Sequence, residues 1–184
     1  MKKYIKKTEE LELLKKREAN NEIKIWYLDE SGFSLSSYVP YAWQRIGTEI
    51  EVPSGKSKRL NVLGFITRNN ELISYTFEGN ITKKTVLCCI DDFSNQITGK
   101  NVIVMDNASI HGITDDEKSK LYEKGVEIFE LPTYSPKLNI AEILWRFIKY
   151  KWIEFADYSS YTTLKKSVEN ILSEVGRKYI INFA

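Results

Sequence analysis

The spacing of apolar residues along the chain predicts alternating strands and helices. Strands are predicted at 23–29, 61–67, 72–77, 102–106 and 126–131. The second and third flank Arg68-Asn-Asn-Glu71 as a hairpin. Helices are predicted over 2–20, 82–97, 114–125, 139–155 and 161–179, with residues 33–58 irregular. A hairpin followed by alternating helix and strand predicts an α/β fold, a mixed sheet flanked by helices.

Composition places the chain among ordinary globular domains. It has 184 residues, of which 42% are hydrophobic and 28% charged, enough for one compact domain with a full core. No apolar run approaches the roughly 20 residues that span a bilayer, and the basic N-terminus lacks the apolar stretch of a signal peptide. Two adjacent cysteines, Cys88 and Cys89, form no disulfide framework, which favours a reducing cytosol.

The distribution of charge is more informative than the net charge of +2. Residues 53–70 carry four basic side chains and no acid, and residues 137–151 carry four basic side chains against one acid. Candidates for phosphate contacts in these stretches are Lys56, Lys58, Arg59 and Lys149. Solvated surface cations explain the same pattern, and the charges alone do not choose between the two interpretations.

Two aspartates follow hydrophobic strands. Asp29 ends the run 23–29 and Asp106 ends the run 102–106, so both are predicted at the carboxyl edge of the sheet. Acids brought together there repel, and a divalent cation relieves the repulsion; oxygen ligands favour Mg²⁺ or Mn²⁺. A role in forming turns is the alternative for either aspartate. If Asp29 belongs to the metal site, Glu30 does not, because the side chains of neighbouring residues in a strand point to opposite faces of the sheet.

A third acid, Glu142, lies in the predicted first turn of the helix over 139–155, off its apolar face. Two structural roles compete with a ligand role: a capping box with Asn139, and an i, i+4 ion pair with Arg146. His111 is the only histidine and has no Cys or His cluster beside it, which argues against zinc.

Longer motifs surround these acids. They are Tyr27-Leu-Asp-Glu-Ser-Gly-Phe33, Val104-Met-Asp-Asn-Ala-Ser-Ile-His111 and the run from Leu131-Pro-Thr-Tyr-Ser-Pro-Lys-Leu-Asn to Glu142-Ile-Leu-Trp. Together they resemble the DDE transposases of the mariner superfamily, in its bacterial insertion-sequence branch. The resemblance covers about residues 23–153, and the run around Glu142 is its most specific part. The 35 residues between Asp106 and Glu142 are close to the family's spacing.

The resemblance implies a ribonuclease H-like fold and roles for the acids. Asp29, Asp106 and Glu142 would be catalytic and would hold two Mg²⁺ or Mn²⁺ ions, with Asn107 and His111 in support. It implies transposon-end and target DNA as partners, a homodimer in the active complex, and a bacterial cytoplasmic protein associated with the nucleoid when active. The expected chemistry is cleavage of DNA ends followed by strand transfer.

Two departures from the family pattern bear on these expectations. The family run Leu-Asn-Pro-Ile-Glu is Leu138-Asn-Ile-Ala-Glu142 here, which predicts a slightly altered helix start. Only about 20 residues precede the first strand, so the family's helix-turn-helix region is not included. The chain is therefore expected to be a split-frame product, an excised fragment or a remnant, with a separate helix-turn-helix chain as one source of end recognition.

The expected organisation is an N-terminal helix or linker remnant over 1–22, a catalytic domain over 23–156, and a C-terminal helix over 157–184 packed on it. Two alternatives to a transposase remain open at this point. One is another ribonuclease H-like nuclease of the resolvase type, which would prefer branched DNA. The other is an inactive remnant that only binds DNA or dimerises.

Overall fold

The computed structural model describes residues 2–36, 45–47, 58–106, 112–132 and 135–183. Within these residues, the strands are β1 (Lys24–Phe33), β2 (Leu60–Ile66), β3 (Leu72–Phe77), β4 (Asn101–Met105) and β5 (Val126–Glu130). The α-helices are α1 (Lys2–Ala19), α2 (Lys83–Gln96), α3 (Asp115–Glu123), α4 (Ala141–Phe147) and α5 (Tyr161–Ser173). The predicted order of elements is confirmed.

The described strands form one mixed sheet in the order β3-β2-β1-β4-β5. β2 pairs antiparallel with β1 and β3, whereas β4 lies parallel to β1 and β5. Connections that return a strand parallel to its neighbour need a crossover, and α2 and α3 occupy these positions in the chain. The predicted mixed sheet flanked by helices is thus the observed architecture.

Helices cover both faces of the sheet. Alternation along β1 sends Ile25 and Tyr27 to a core shared with α1, α4 and α5, which we call the α4 face. Trp26 and Leu28 enter a second core shared with α2 and α3, the α2 face. Within the described part of the chain, we find no helix with the length and apolar character that crossing a bilayer requires.

Two predicted boundaries follow from local capping chemistry and are confirmed. Thr114 caps α3 by accepting from the Glu117 amide, while the Glu117 side chain accepts from the Thr114 amide. This is the capping box that the sequence Thr-Asp-Asp-Glu predicts. At the other end, Gly125 has φ +80°, a left-handed conformation that glycine adopts without strain.

The first strand is longer than predicted. The polar segment Asp29-Glu-Ser-Gly32 was predicted to form a turn, but β1 continues through these residues to Phe33. The reason is tertiary, because β2 pairs with this segment from Asp29 opposite Gly64 to Phe33 opposite Leu60. Asp29 therefore lies inside a strand and not at its end, which corrects the sequence-based position.

The last two helices are shorter than predicted. α4 gives way to a turn of π-helix over Ile148–Trp152, in which the Ile153 amide donates to the Ile148 carbonyl at 3.0 Å. The wider turn ends the helix and lets Ile153, 3% exposed, enter the core. α5 ends at Ser173, before Gly176 at φ +83°. The predicted irregular segment 33–58 falls largely outside the described residues.

Candidate active site

Two of the three predicted acids are brought side by side by the sheet. The parallel pairing of β1 and β4 ends with Leu28 opposite Met105. The next residues are Asp29 and Asp106, so both aspartates occupy equivalent positions at the carboxyl edge of neighbouring parallel strands. β1 then continues past β4, and among the described strands this part of β1 pairs only with β2. Open α/β sheets place ligand sites at such edges.

The environment of Asp29 raises the pKa of its carboxyl to about 7. Burial is the main cause, followed by repulsion from Glu142; Asp106 adds to the repulsion. The Trp145 indole opposes this by donating a hydrogen bond to Asp29 Oδ2 at 3.1 Å. Glu142 and Asp106 are therefore close enough to Asp29 to raise the pKa of its carboxyl.

Glu142 is exposed in the first turn of α4, and neither competing structural role is observed. The helix is capped at Ile140 without a side-chain hydrogen bond, so Glu142 is not the third residue of a capping box. Among the ion pairs between described residues, none joins Glu142 to Arg146. Its charge contributes to the raised pKa of the Asp29 carboxyl, so Glu142 lies near Asp29.

The donor set fits Mg²⁺ or Mn²⁺, although the acids do not form a closed cage. Across the described ranges, no three His, Cys, Asp or Glu side chains are grouped tightly enough to hold a metal ion. The fit comes from chemistry: the donors are carboxylate oxygens, and their mutual repulsion is what a divalent cation relieves.

Lys149 lies near the acids, and Arg59 lies near Lys149. Burial lowers the pKa of Lys149, and the positive charge of Arg59 lowers it further, whereas Glu142 and Asp29 oppose the shift. Arg59 crosses over Gly32, where a Cβ would lie only 1.8 Å from its Nε, so glycine makes room for the guanidinium. Two neighbouring like charges next to an acidic site suit an anion that both can contact.

Comparison with known proteins identifies the family. The sequence model of a protein family described as "DDE superfamily endonuclease" matches residues 24–165, which is most of the chain. The chain belongs to the DDE superfamily endonucleases. No curated protein matches it by sequence.

Solved structures show the fold of this DDE domain. The Mos1 mariner paired-end complex with Mn has a TM-score of 0.66 at 13% identity, covering 95% of this chain and 55% of that one. The Mos1 paired-end complex with the left transposon end has a TM-score of 0.58 at 13% identity, covering 88% and 51%. The DDE domain thus has the ribonuclease H-like fold of Mos1 transposase and spans about half the length of those chains.

The structure describes only some of the other residues that were predicted to belong to the site. Lys149 lies near Asp29 and Glu142, and Arg59 lies near Lys149 and over Gly32. Lys58 places its Nζ 5.8 Å from the centre of the Tyr161 ring on α5. Lys56, Asn107 and His111 lie outside the described residues, so their predicted roles stay predictions.

Three residues that position the acids were missed by sequence reasoning. Asn139 is buried and donates to the Leu28 carbonyl at 2.9 Å, while its Oδ1 accepts from the Ala141 amide at 3.1 Å. It therefore ties the start of α4 to β1 next to Asp29. Trp145 bonds Asp29 itself, and Gly64 makes room for the Trp145 ring. A buried asparagine in an apolar run was the available signal for the first of these.

The raised pKa of Asp29 makes the stability of the metal-free DDE domain depend on pH. The carboxyl titrates near 7 when folded and near 3.8 when exposed, so folding favours its protonated form. This contribution is fully present below about pH 3.8 and is lost as pH rises through 7. In EDTA, we expect Asp29→Asn to unfold at a higher temperature than the wild type at pH 8, with a smaller advantage at pH 5. Thermal unfolding of both proteins checks this, and an advantage independent of pH would contradict it.

Proposed function

We propose that this chain is the catalytic domain of a transposase that cleaves DNA ends and joins them to target DNA. The observation that carries the proposal is the juxtaposition of Asp29, inside β1, and Asp106, directly after the parallel strand β4, with Glu142 close enough to raise the pKa of Asp29. The family assignment supports nuclease chemistry, and the chain's length relative to Mos1 restricts the proposal to a catalytic domain.

The three carboxylates would hold two Mg²⁺ or Mn²⁺ ions. When bound, these ions would activate the attacking oxygen and neutralise charge on the leaving oxygen. The domain's own residues then have simpler tasks. Asp29, Asp106 and Glu142 would hold the ions, and Arg59 and Lys149 would contact phosphate oxygens. In cleavage, a water oxygen would bond to phosphorus as the bond to one DNA oxygen breaks, leaving a hydroxyl on one DNA end and a phosphate on the other. In strand transfer, a DNA 3′-hydroxyl would bond to a target phosphorus and a target hydroxyl would leave, so no protein nucleophile is needed.

Four basic side chains are the proposed DNA contacts of this domain. Phosphate contacts position a strand without reading its sequence, and that is the role we assign to Lys56, Lys58, Arg59 and Lys149. We propose transposon ends and target DNA as the partners, a homodimer as the active form, and recognition of the ends by a helix-turn-helix region on a separate chain. An origin in the bacterial insertion-sequence branch belongs to the same proposal.

Metal removal tests this function. The full chain is incubated with supercoiled plasmid and a labelled oligonucleotide carrying a free 3′-hydroxyl, in Mn²⁺ or Mg²⁺ and in EDTA. We expect metal-dependent nicks and joining of the oligonucleotide, both absent in EDTA, because the carboxylates alone supply no activation of the attacking oxygen. Nicks and labelled products are separated by gel electrophoresis.

Other outcomes would overturn the proposal in favour of a named alternative. Cleavage confined to a four-way junction, with linear and supercoiled DNA intact, would indicate a resolvase-type nuclease. DNA binding without cleavage in either metal would indicate an inactive remnant.

A further inference from the structure

The indole of Trp145 contacts the carboxyl of Asp29 directly. Its Nε1–H donates to Asp29 Oδ2 at 3.1 Å, across 116 residues of sequence. The side chain is 3% exposed, so water cannot replace this donor without opening the core. A hydrogen bond from an uncharged donor to a carboxylate is stronger than one between neutral groups, and burial strengthens it further.

The Trp145 ring is held in place by its surroundings. Gly64 is the residue opposite Asp29 in the pairing of β1 with β2. A Cβ on Gly64 would lie 2.8 Å from Cη2 of the indole, so the ring occupies the space that any other residue would fill. Phe33 packs against the ring edge, with centroids 6.4 Å apart and planes at 73°. The donor therefore has little freedom to move away from Asp29.

The helix that carries Trp145 is also attached to the strand that carries Asp29. Asn139 bonds the Leu28 carbonyl and the Ala141 amide, which links the start of α4 to β1 one residue before Asp29. The indole bond is the second link between the same two elements. Together they fix the orientation of the carboxylate, whose ionised form can accept further bonds and ligands.

We propose that Trp145 is a positioning residue that holds the Asp29 carboxylate in the orientation needed for divalent metal binding. This inference rests on the proposed function, because it assumes that Asp29 is a metal ligand. Donors that orient a metal ligand commonly change metal affinity by about 10- to 100-fold when removed. Trp145 itself would touch neither the metal nor DNA.

The test compares Mn²⁺ binding to the full chain and three variants by calorimetry. Trp145→Phe keeps an aromatic ring and removes the N–H. Trp26→Phe is the matched control, because Trp26 is also 3% exposed and its Nε1 donates to Asn101 Oδ1 at 3.0 Å, on the α2 face. Asp29→Asn removes the proposed ligand.

We expect Trp145→Phe to bind Mn²⁺ at least about tenfold more weakly than the wild type, with Trp26→Phe within about twofold of it. Both variants should lose similar stability, so metal affinity separates positioning from packing. Raising Mn²⁺ to saturation should restore DNA cleavage by Trp145→Phe, because the ligand itself remains, and should not restore it in Asp29→Asn.

The outcomes separate the two ideas. Wild-type affinity in Trp145→Phe together with lost affinity in Asp29→Asn would overturn the positioning role and leave the proposed function standing. Wild-type affinity in Asp29→Asn would overturn the proposed metal site itself. If Trp145→Phe does not fold, Gly64→Ala provides the test, because its Cβ displaces the indole ring while the N–H donor remains. Unchanged Mn²⁺ affinity in Gly64→Ala would overturn the inference, and weakened affinity would support it.

Discussion

Replacing Asp106 with asparagine is expected to reduce metal-dependent DNA cleavage by about a thousandfold or more. Asparagine has nearly the same size and retains an oxygen acceptor, but it removes the negative charge that the proposed metal site needs. A thousandfold loss corresponds to about 4 kcal/mol of transition-state stabilisation, which is within what a metal ion contributes to phosphoryl transfer. The measurement is the initial rate of plasmid nicking at fixed Mn²⁺.

The fold should tolerate this change. Asp106 comes directly after β4, and its charge contributes to the repulsion at Asp29, which the neutral amide would relieve. The control is Glu127→Gln, the same change of charge at an exposed position of neighbouring β5. It should leave nicking unchanged. Full activity in Asp106→Asn would show that this carboxylate takes no part in the chemistry.

The second large effect concerns stability. Asn139→Leu is expected to lower the free energy of unfolding by about 3 kcal/mol, because it leaves two buried backbone groups without their partner. Asn139 is 3% exposed, and its side chain satisfies both the Leu28 carbonyl and the Ala141 amide. Leucine has a similar size, so lost hydrogen bonding and not lost volume should dominate. Urea unfolding of the metal-free chain measures the difference.

The same substitution at an exposed position separates this effect from added hydrophobicity. Asn170 lies at an exposed position of α5, and Asn170→Leu should change stability by less than about 0.5 kcal/mol. A loss below about 1 kcal/mol in Asn139→Leu would mean that the link between α4 and β1 is not a major support of the site.

Local patterns were sufficient wherever short-range chemistry decides structure. The buried strand before Asp106 could be recognised as an unbroken apolar run, because β4 is covered on both faces. The capping box at Thr114 depends only on residues three apart, so α3 begins where the sequence predicts. These two elements can therefore be predicted without knowing which other elements they contact.

The position of Asp29 shows where local reasoning fails. A polar Asp-Glu-Ser-Gly segment favours a turn when considered alone, but pairing with β2 extends the strand through it. That partner is about 30 residues away in sequence, and no local pattern encodes the pairing. Asp29 nevertheless lies beside Asp106, because β4 ends opposite Leu28, five residues before β1 ends at Phe33.

The sequence by itself determined the order of elements, the family motifs and the three candidate acids. Their identities follow from residue types and spacing, which need no coordinates. Only the tertiary structure decided how they are supported: the bond from Trp145 to Asp29, the space left by Gly64 and the link made by Asn139. These contacts join segments between about 80 and 116 residues apart. The packing of β1, β2 and α4 against one another creates these contacts, and the spacing of residues along the chain does not predict them.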